Sequence, residues 1–526
     1  MLAIGSGLAG IRAAMEARRS GGDVLVVSDA PVGKASNTAI SKGYFAIPGA
    51  GDSGDNPGQH LSDITAGGCR VNDPALISVM VNNLKDEVGF LMECGVSLTA
   101  RDDGSLLYTK FPGHTFPRVL GTRRSSGVDL LNPLVARARE VGVRMEQGIT
   151  VLSLQNDEDG VYGAWGYTRQ GEPVFIRVGS VILATGGAGR LYLHTNNVPG
   201  AVGLGQAMAL SAGLSLVDME FVQFYPTYLH MPGKPRVIVL YEIMVAAAGA
   251  TLRNRYGEDI RDLYGMKDVS NLTRDRLSRA IASEIRAGRG VGPDGEAVTM
   301  DLSTMDRPEK YRHLLPGAVP PDASELHVGP VAHFTMGGVA VKPGGETEIP
   351  GLWAIGEVAG GIHGANRIGA NALAECLALG RVAGGAATRY SQGAGRRKTT
   401  QKETAPPFDP GRETGDVSSM EETLRATMSR CAGILRDAKG LEESLAVINS
   451  LKNKLPDKKT VSALKLGMML DVAHSICLSA LMRRESRGSH FRLNYPDERE
   501  EYLGNFLVRK IKGKIEIKFV SRGRGY

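Results

Sequence analysis

The chain has 526 residues, and 62 lysines and arginines against 56 aspartates and glutamates give it a formal net charge of +6. This length exceeds what one hydrophobic core usually holds, so we expect roughly two to four domains. So mild a charge argues against nucleic-acid binding, and an apolar fraction of 42% is that of an ordinary globular protein rather than a disordered chain.

Glycine is abundant, with 68 positions that gather in short clusters rather than in repeats. Because glycine tolerates positive φ and lets backbone approach a ligand closely, such clusters suggest a large cofactor wrapped by loops. The five cysteines are scattered, and none forms the C-x-x-C pair typical of zinc or iron–sulfur sites. We therefore predict no metal centre in this chain, and cysteines kept reduced in a cytoplasmic protein.

No targeting segment is recognisable. The N-terminal residues run into glycines without the basic and long apolar regions of a signal peptide. The most apolar run, residues 237–252, contains Glu242 and is therefore a poor membrane span. We expect a cytoplasmic protein whose membrane contact, at the inner face of the cell membrane, is made only through partner subunits.

The chain opens on a strand–turn–helix–strand pattern. Residues 2–4 are a short strand, either trimmed or begun upstream, residues 11–18 continue as a helix, and residues 23–27 form a second strand. The turn between the first strand and the helix carries glycines at positions 5, 7 and 10, which allow a tight turn, close approach to a pyrophosphate, and helix–strand packing. This unit predicts dinucleotide binding, with the phosphates at the helix N-terminus.

Two further apolar strands end in polar or glycine-rich turns. Residues 178–184 lead into a threonine and two glycines, and residues 352–355 lead into Gly356 and Glu357. Sheets of α/β proteins bind ligands at the carboxyl ends of their strands. With the first turn, these segments resemble the three-part signature of an FAD-type Rossmann domain rather than an NAD-type one. The second strand ends in Ser28-Asp29 rather than directly in the usual acidic residue, so the sequence does not decide which side chain contacts the cofactor ribose.

The remaining chain divides by composition. Residues 228–330 hold a basic helix at 274–287 and loops rich in glycine and proline. Residues 391–415 form a polar linker with three prolines, and residues 417–484 show the apolar spacing of helices. The tail, residues 506–520, alternates as a strand does.

Three ordered blocks are specific: DMEFVQF at 218–224, HFTMGG at 333–338 and HGANR at 363–367. They resemble the flavoprotein subunit family of succinate dehydrogenase and fumarate reductase, whose superfamily includes L-aspartate oxidase. The likeness covers residues 2–387 and resumes at 484–490.

The resemblance implies an α/β fold in which a Rossmann-like FAD-binding domain is interrupted by an α+β capping domain and followed by a C-terminal helical domain. Its boundaries fall at 1–227 and 331–388 for FAD, 228–330 for the cap, 389–415 for the linker, and 416–526 for the helical domain and tail. FAD is the implied cofactor, and an iron–sulfur electron-transfer subunit is the implied partner.

The resemblance also assigns roles. Arg274 matches the arginine that moves the substrate proton, and Glu242 the glutamate that relays protons to it. His333 and Arg367 match the residues that bind the substrate carboxylate, a role suited to the guanidinium fork. Tyr225 and Tyr241 occupy two further substrate-binding positions. The implied cofactor contacts are Gly5, Gly7, Gly10, Ser28, Thr38, Ala39, Thr185, Gly186, Gly187, Glu357, Asn371 and Leu373.

Four positions depart from the family pattern. Asn37 replaces the histidine that carries covalent FAD, so we expect FAD to be non-covalent. Tyr225 replaces a histidine and Tyr241 a threonine. Residues 245–248 read Val-Ala-Ala-Ala where the family has Arg-Gly-Glu-Gly, so the outer arginine of the proton relay is missing. These changes predict a remodelled substrate cavity.

The sequence therefore predicts an FAD-dependent enzyme that interconverts fumarate and succinate, as a subunit served by a separate electron-transfer partner. L-aspartate oxidase is the first alternative. A related flavoprotein reductase with a remodelled pocket, such as adenylylsulfate reductase, and a non-catalytic FAD carrier are weaker alternatives, because Glu242, Arg274, His333 and Arg367 are retained. The direction of the reaction and the oligomeric state are left open.

Overall fold

A computed structural model describes residues 1–521, apart from 231–236, 307, 312–313, 316, 318, 321, 394–404, 407, 409–416 and 457–459. The helices are α1 Leu8–Arg19, α2 Asn37–Ile40, α3 Pro57–Gly67, α4 Pro74–Asn82, α5 Glu87–Glu93, α6 Gly127–Glu140, α7 Leu204–Ser211, α8 Tyr241–Met244, α9 Ile260–Leu263, α10 Arg274–Arg286, α11 Pro308–Tyr311, α12 Asn371–Gln392, α13 Ser418–Cys431, α14 Ala438–Lys454 and α15 Val461–Met482.

The strands are β1 Leu2–Ile4, β2 Leu25–Ser28, β3 Tyr44–Ala46, β4 Val119–Gly121, β5 Arg144–Gln147, β6 Ile149–Asp157, β7 Gly160–Thr168, β8 Pro173–Arg177, β9 Val181–Leu183, β10 Leu216–Val217, β11 Val222–Leu229, β12 Thr251–Arg253, β13 Val298–Asp301, β14 Glu325–Thr335, β15 Gly338–Val339, β16 Leu352–Ala354, β17 Leu435–Arg436, β18 Phe491–Arg492, β19 Gly504–Ile511 and β20 Lys514–Ser521.

A five-stranded parallel sheet holds the three predicted cofactor turns. Its strand order is β16-β9-β1-β2-β5, and β1, β9 and β16 are buried throughout. Parallel strands align their carboxyl ends, so the turns after β1, β9 and β16 lie side by side at one edge. The three predicted strands are confirmed, and α1 begins at residue 8 rather than 11 because the helix starts directly after the second turn glycine.

Two glycines of the first turn are required by close backbone contacts. Gly5 has φ +114°, and a Cβ there would lie 2.2 Å from the Ala184 carbonyl oxygen. A Cβ on Gly10 would lie 2.0 Å from the Gly5 carbonyl oxygen. Any larger residue at either position would push β1, α1 and β9 apart. The turn is therefore built for close packing of the helix on the sheet.

A second, antiparallel sheet lies beyond the cofactor turns, with the strand order β11-β14-β13-β12. Strand β11 is buried at every position, and Gln223 pairs with Phe334 of β14. Helix α10 packs on β11 and β14, and it begins at Arg274 as the sequence predicts. This pairing brings the DMEFVQF and HFTMGG blocks, more than a hundred residues apart, into one wall.

The C-terminal region combines helices α13, α14 and α15 with a hairpin of β19 and β20. The predicted tail strand, residues 506–520, is divided into two strands by a turn at residues 512–513, and β19 pairs antiparallel with both β20 and β10 in the sheet β15-β10-β19-β20. By length and composition alone, α15 is the one helix in the described part of the chain that could cross a membrane, but 56% of its most apolar window is buried within the protein. Core helices meet the same criterion, so this is weak evidence for a span.

The predicted fold class is confirmed: an α/β FAD-binding domain, a second mixed region and a helical C-terminal part occur in this order. The exact domain boundaries remain a prediction. Helix α12 runs to Gln392, four residues beyond the predicted end of the FAD-binding segment, and most of residues 394–416 lie outside the described residues.

A buried ion cluster ties the C-terminal region to the chain just before β11. Arg483, just after α15, donates to Glu220 before β11 at 2.7 Å and to Glu485 at 2.8 Å. It also donates to the carbonyls of Tyr502 and Gly504, each at 2.9 Å. The three charged side chains are fully buried. Removal of the arginine would leave two carboxylates away from water without this partner.

Replacement of this arginine should destabilise the protein strongly. We expect Arg483→Ala to lower the free energy of unfolding by about 3–5 kcal/mol, because a buried charge that loses its partner keeps its desolvation cost. The neighbouring Arg484 is exposed and provides a matched control, for which we expect a change within about 0.5 kcal/mol. Urea unfolding of both variants checks this, and equal effects would contradict it.

Candidate active site

One continuous cavity of about 570 Å³ joins the cofactor turns to the second sheet. At one end it is lined by the turns after β1, β9 and β16, and at the other by residues of β11, α8, α10 and β14. The volume lies in the usual range for a ligand site. Because the cavity is continuous, a ligand at the cofactor turns and a ligand beside the second sheet would lie next to each other.

The cofactor end presents backbone donors. Residues 5–9 line the cavity, so the N-terminus of α1 faces it with its unpaired N–H groups and positive dipole end. At the outer part of this end, the Ser6 hydroxyl donates a hydrogen bond to the Ser28 hydroxyl at 3.0 Å, and Asp29 also lines the cavity. The arrangement suits a pyrophosphate flanked by a ribose.

Asn37 sits in the cavity wall with its amide fully engaged. Its Nδ2 donates to Asn197 at 2.7 Å and to Glu357 at 3.2 Å, and its Oδ1 accepts from the Val198 N–H at 3.1 Å. An amide has no nucleophilic nitrogen available for a bond to flavin. The structure thus places Asn37 in the cavity wall, with a side chain that cannot form such a bond.

Glu357 supports the same wall from the turn after β16. It accepts from the Thr335 N–H at 3.1 Å, and burial raises the pKa of Glu357 to about 7. The buried Thr185 hydroxyl, which also lines the cavity, has no partner among the described residues. An unpaired buried hydroxyl, glycine turns and a helix N-terminus together fit FAD as the bound cofactor.

The substrate end contains two buried arginines that share one acceptor. Gln223 Oε1 accepts from Arg274 Nη1 at 3.2 Å and from Arg367 Nη2 at 3.0 Å. Gln223 is itself fixed, since its Nε2 donates to Asn366 and to the Arg367 carbonyl, each at 2.8 Å. The glutamine therefore sets the spacing of the two guanidinium groups.

Only one of the two arginines has a carboxylate partner among the described residues. Arg274 donates to Glu242 Oε1 through Nη2 at 2.9 Å. Arg367 is 4% exposed, stacks on Phe334 with 4.5 Å from Cζ to the ring centre, and leaves its buried Nε without a partner in the described part of the chain. A buried guanidinium with an unpaired donor is a ready site for an anion.

The pKa values of the two buried arginines are shifted in opposite directions. Burial opposes the charged form of Arg274, but the attraction of Glu242, Tyr241 and Tyr225 and the hydrogen bond to Glu242 together outweigh it and raise the pKa of Arg274. Burial and repulsion from Arg274 lower the pKa of Arg367 to about 9. Because Glu242 already compensates the charge of Arg274, an incoming anion would be stabilised chiefly by Arg367.

His333 lies beside the arginines as a neutral group. Burial and the two guanidinium charges lower the pKa of His333 well below its ordinary value. Its Nδ1 contacts the Asn196 amide at 2.9 Å, which leaves Nε2 for a ligand. A neutral imidazole can donate one hydrogen bond there without adding charge.

Tyr225 is hydrogen-bonded to Glu242, the ion-pair partner of Arg274. Its hydroxyl donates to Glu242 Oε2 at 2.6 Å, and burial raises the pKa of Tyr225 well above its ordinary value. Tyr241 packs behind it, with ring centres 5.8 Å apart, and does not line the cavity. Only Tyr225 of the two can therefore meet a ligand.

Glu242 also borders a second cavity of about 1100 Å³. This cavity is also lined by Ala246 and Ala247, within the segment where the outer relay arginine of the family pattern is missing, and by Asp268 and Asp275. Glu242 is the one titratable side chain that lines both cavities among the described residues. It can thus exchange protons with a polar space separate from the substrate end.

The structure brings most of the predicted site residues to one cavity. Five predicted residues do not line it: Gly10, Ala39, Gly187, Asn371 and Tyr241. Gly10 acts through packing, and the Asn371 side chain contacts His60 at 3.0 Å instead. Sequence reasoning missed the roles of Gln223 and Asn196; Gln223 lies within a block that was recognised, whereas no motif marked Asn196. Among the described residues, no group of three or more possible ligands could hold a metal.

Comparison with known proteins agrees with this site. Residues 1–373 match the family described as FAD binding domain, and residues 421–521 match fumarate reductase flavoprotein C-term. A fumarate reductase (CoM/CoB) subunit of Methanothermobacter marburgensis is 33% identical over 99% of this chain and 98% of its own. L-aspartate oxidase of Caulobacter vibrioides is 31% identical over 94% and 93%.

A solved structure shows the same fold along the whole chain. A variant of E. coli quinol fumarate reductase FrdA superposes with a TM-score of 0.86 and 27% identity, covering 99% of this chain and 96% of that one. The two family matches, the full-length relatives and the cofactor end of the cavity lead to one conclusion. The chain belongs to the FAD-dependent oxidoreductase family of succinate dehydrogenase and fumarate reductase flavoproteins.

Proposed function

We propose that this protein interconverts a small unsaturated carboxylate and its saturated counterpart, with fumarate and succinate as the pair indicated by its relatives. The observation that carries the proposal is Arg367, a buried guanidinium without a carboxylate partner among the described residues, beside a second arginine that has one. An anionic substrate would complete this charge arrangement at the flavin end of the cavity.

Each residue has a distinct task in this proposal. Arg367 and neutral His333 hold the substrate carboxylate. Phe334 stacks on the Arg367 guanidinium and fixes its orientation. Bound FAD supplies or accepts the hydride. Arg274 moves the proton on the neighbouring carbon, and Glu242, 2.9 Å away, restores the proton of Arg274.

Proton supply to Glu242 differs from the family pattern. The outer arginine is absent, and two alanines leave room for the second cavity to reach the carboxylate. We infer that water in this cavity, beside Asp268 and Asp275, carries the proton to Glu242. The small residues at 246 and 247 then have a role, since larger ones would occupy that space.

The proposed reaction also needs an electron partner, which would determine any membrane contact of the protein. The relatives include a protein named as a subunit, and no cysteine cluster here could bind an iron–sulfur centre in the described residues. We propose that a separate electron-transfer subunit exchanges electrons with the flavin, and that any membrane contact is made through it. L-aspartate oxidation is the second candidate, because relatives of that name match 94% or more of the chain.

Flavin should be released by acid. The amide of Asn37 cannot form a covalent bond to FAD, so we expect acid precipitation to leave the yellow colour in the supernatant. Absorbance spectra of supernatant and pellet check this. Flavin that stays with the pellet would show that another side chain is linked to it.

Replacement of the proton donor should stop turnover without loss of flavin. We expect Arg274→Lys to lower kcat by about 10²–10⁴-fold, because lysine keeps a charge but not the two donors that face Glu242 and Gln223. Arg276→Lys is the control, since Arg276 donates to Asn271 and faces the second cavity. Dye oxidation by fumarate and the flavin content of both variants are measured; equal kcat values would move the role away from Arg274.

Removal of the unpaired guanidinium should destroy substrate binding. We expect Arg367→Ala to lower kcat/KM by about thirtyfold to several thousandfold, the cost of about 2–5 kcal/mol for losing a buried charged hydrogen bond. KM should rise, and kcat should fall through misplacement of the substrate. Steady-state kinetics with the best unsaturated carboxylate test this, and an unchanged KM would contradict the assignment.

A further inference from the structure

Lys42 is a partly buried cation in the wall of the first cavity. No hydrogen bond or ion pair joins its ammonium group to any residue that the structure describes, and burial alone lowers the pKa of Lys42. Residues 231–236, which precede Val237 of the cavity wall and lie outside the described residues, include no aspartate or glutamate. An anion bound in the cavity would compensate this charge, whose hydration is already reduced.

The segment that carries Lys42 forms a long stretch of the cavity wall. Apart from Ala39, every residue from 35 to 44 lines the cavity. At the phosphate end, the Thr38 hydroxyl accepts a hydrogen bond from the Leu8 N–H at 3.1 Å, directly beside the glycine turn after β1. Lys42 follows further along the same wall, beyond the turn where a pyrophosphate fits.

The other end of this segment reaches the substrate end of the cavity. The ring of Tyr44 packs on that of Phe111, with ring centres 5.2 Å apart. Phe111 in turn lies beside Gly369, where a Cβ would be 3.1 Å from Phe111 and 3.8 Å from Arg274 Nη2. Lys42 therefore stands between the phosphate turn and the arginine of the proposed proton transfer. A flavin ring that connects these two ends would lie against this stretch of wall.

Two anions could meet the ammonium group: the substrate carboxylate, and the flavin ring once it is reduced. Repulsion from Arg274 contributes to the lowered pKa of Arg367, whereas burial alone lowers the pKa of Lys42. The two arginines are thus close enough to act on each other, and Lys42 stands apart from both. This separation favours the flavin over the carboxylate that Arg367 is proposed to hold.

We propose that Lys42 faces the ring of bound FAD and raises the reduction potential of the flavin. Two electrons from an external donor and one proton from solvent add one negative charge to the ring. A cation in a partly buried wall stabilises that charge, because the local dielectric constant is lower than that of water. The lysine acts by its charge and transfers no proton. The inference rests on FAD as the cofactor and not on the identity of the substrate.

The test measures the flavin potential without any substrate. Lys42→Met removes the charge and keeps an unbranched side chain. FAD-loaded protein is equilibrated with a reference dye of known potential, and we expect the ratio of reduced to oxidised flavin to fall at least tenfold in Lys42→Met. For a two-electron couple this corresponds to a midpoint potential about 30 mV lower. An unchanged ratio would overturn the proposal.

Two further variants separate charge from packing and from position. Lys42→Arg keeps the charge, so it should keep the wild-type ratio. Lys34→Met is the matched control, because Lys34 is exposed on the same segment and does not line the cavity; its ratio should also be unchanged. An equal fall in Lys42→Met and Lys42→Arg would show that the charge is not the cause, and an equal fall in Lys34→Met would show that the effect is not local.

The other possible partners of Lys42 give different results. If the lysine bound the phosphates of FAD, Lys42→Met would weaken binding of oxidised FAD and leave the potential unchanged. If it bound the substrate carboxylate, KM for fumarate would rise at an unchanged potential. Either result would contradict the proposal. A wild-type protein that fails to reduce fumarate would refute the proposed function, but the comparison of potentials would still decide the role of Lys42.

Discussion

Two buried arginines beside a single carboxylate govern the arrangement of this site. Arg274 and Arg367 share the oxygen of Gln223, and only Arg274 has an ionised partner in the described structure. Buried like charges repel, and a buried unpaired charge is costly. The fold sustains the pair because Gln223, Phe334 and Glu242 each stabilise one side of it, which leaves the free face of Arg367 for an anion.

Strand pairing and the start of one helix bring residues from distant sequence blocks together at the candidate site. Pairing of β11 with β14 sets Gln223 and Tyr225 beside His333, and α10 delivers Arg274 from its first residue. The cluster around Arg483 anchors the start of this wall to the C-terminal region through fully buried ion pairs. No described residue of the C-terminal part lines the cavity, so this part supports the candidate site from outside.

The departures from the family pattern form one connected change. Tyr225 takes a proton-donor position next to Glu242, and the small residues after α8 open a second cavity on the other side of the same carboxylate. Both changes act on Glu242: one fixes its orientation and the other leaves a cavity beside it, which is the proposed route for protons. Arg274 keeps its ion pair with Glu242, so the proposed proton transfer is compatible with both changes.

The sequence by itself determined the cofactor class and the fold class, and most of the residues it predicted for the site line one cavity. Glycine turns at the ends of apolar strands can be recognised from the local sequence alone. The HFTMGG and HGANR blocks are specific enough to identify a family. Helix boundaries were predicted less accurately, since α1 begins three residues before its predicted start and α12 extends into the predicted linker. Only the tertiary structure decided which side chains face the cavity. Gln223 as the shared acceptor, Tyr241 behind Tyr225, and Asn371 turned toward His60 depend on contacts between segments far apart in the chain, and no local pattern records the direction in which a side chain points.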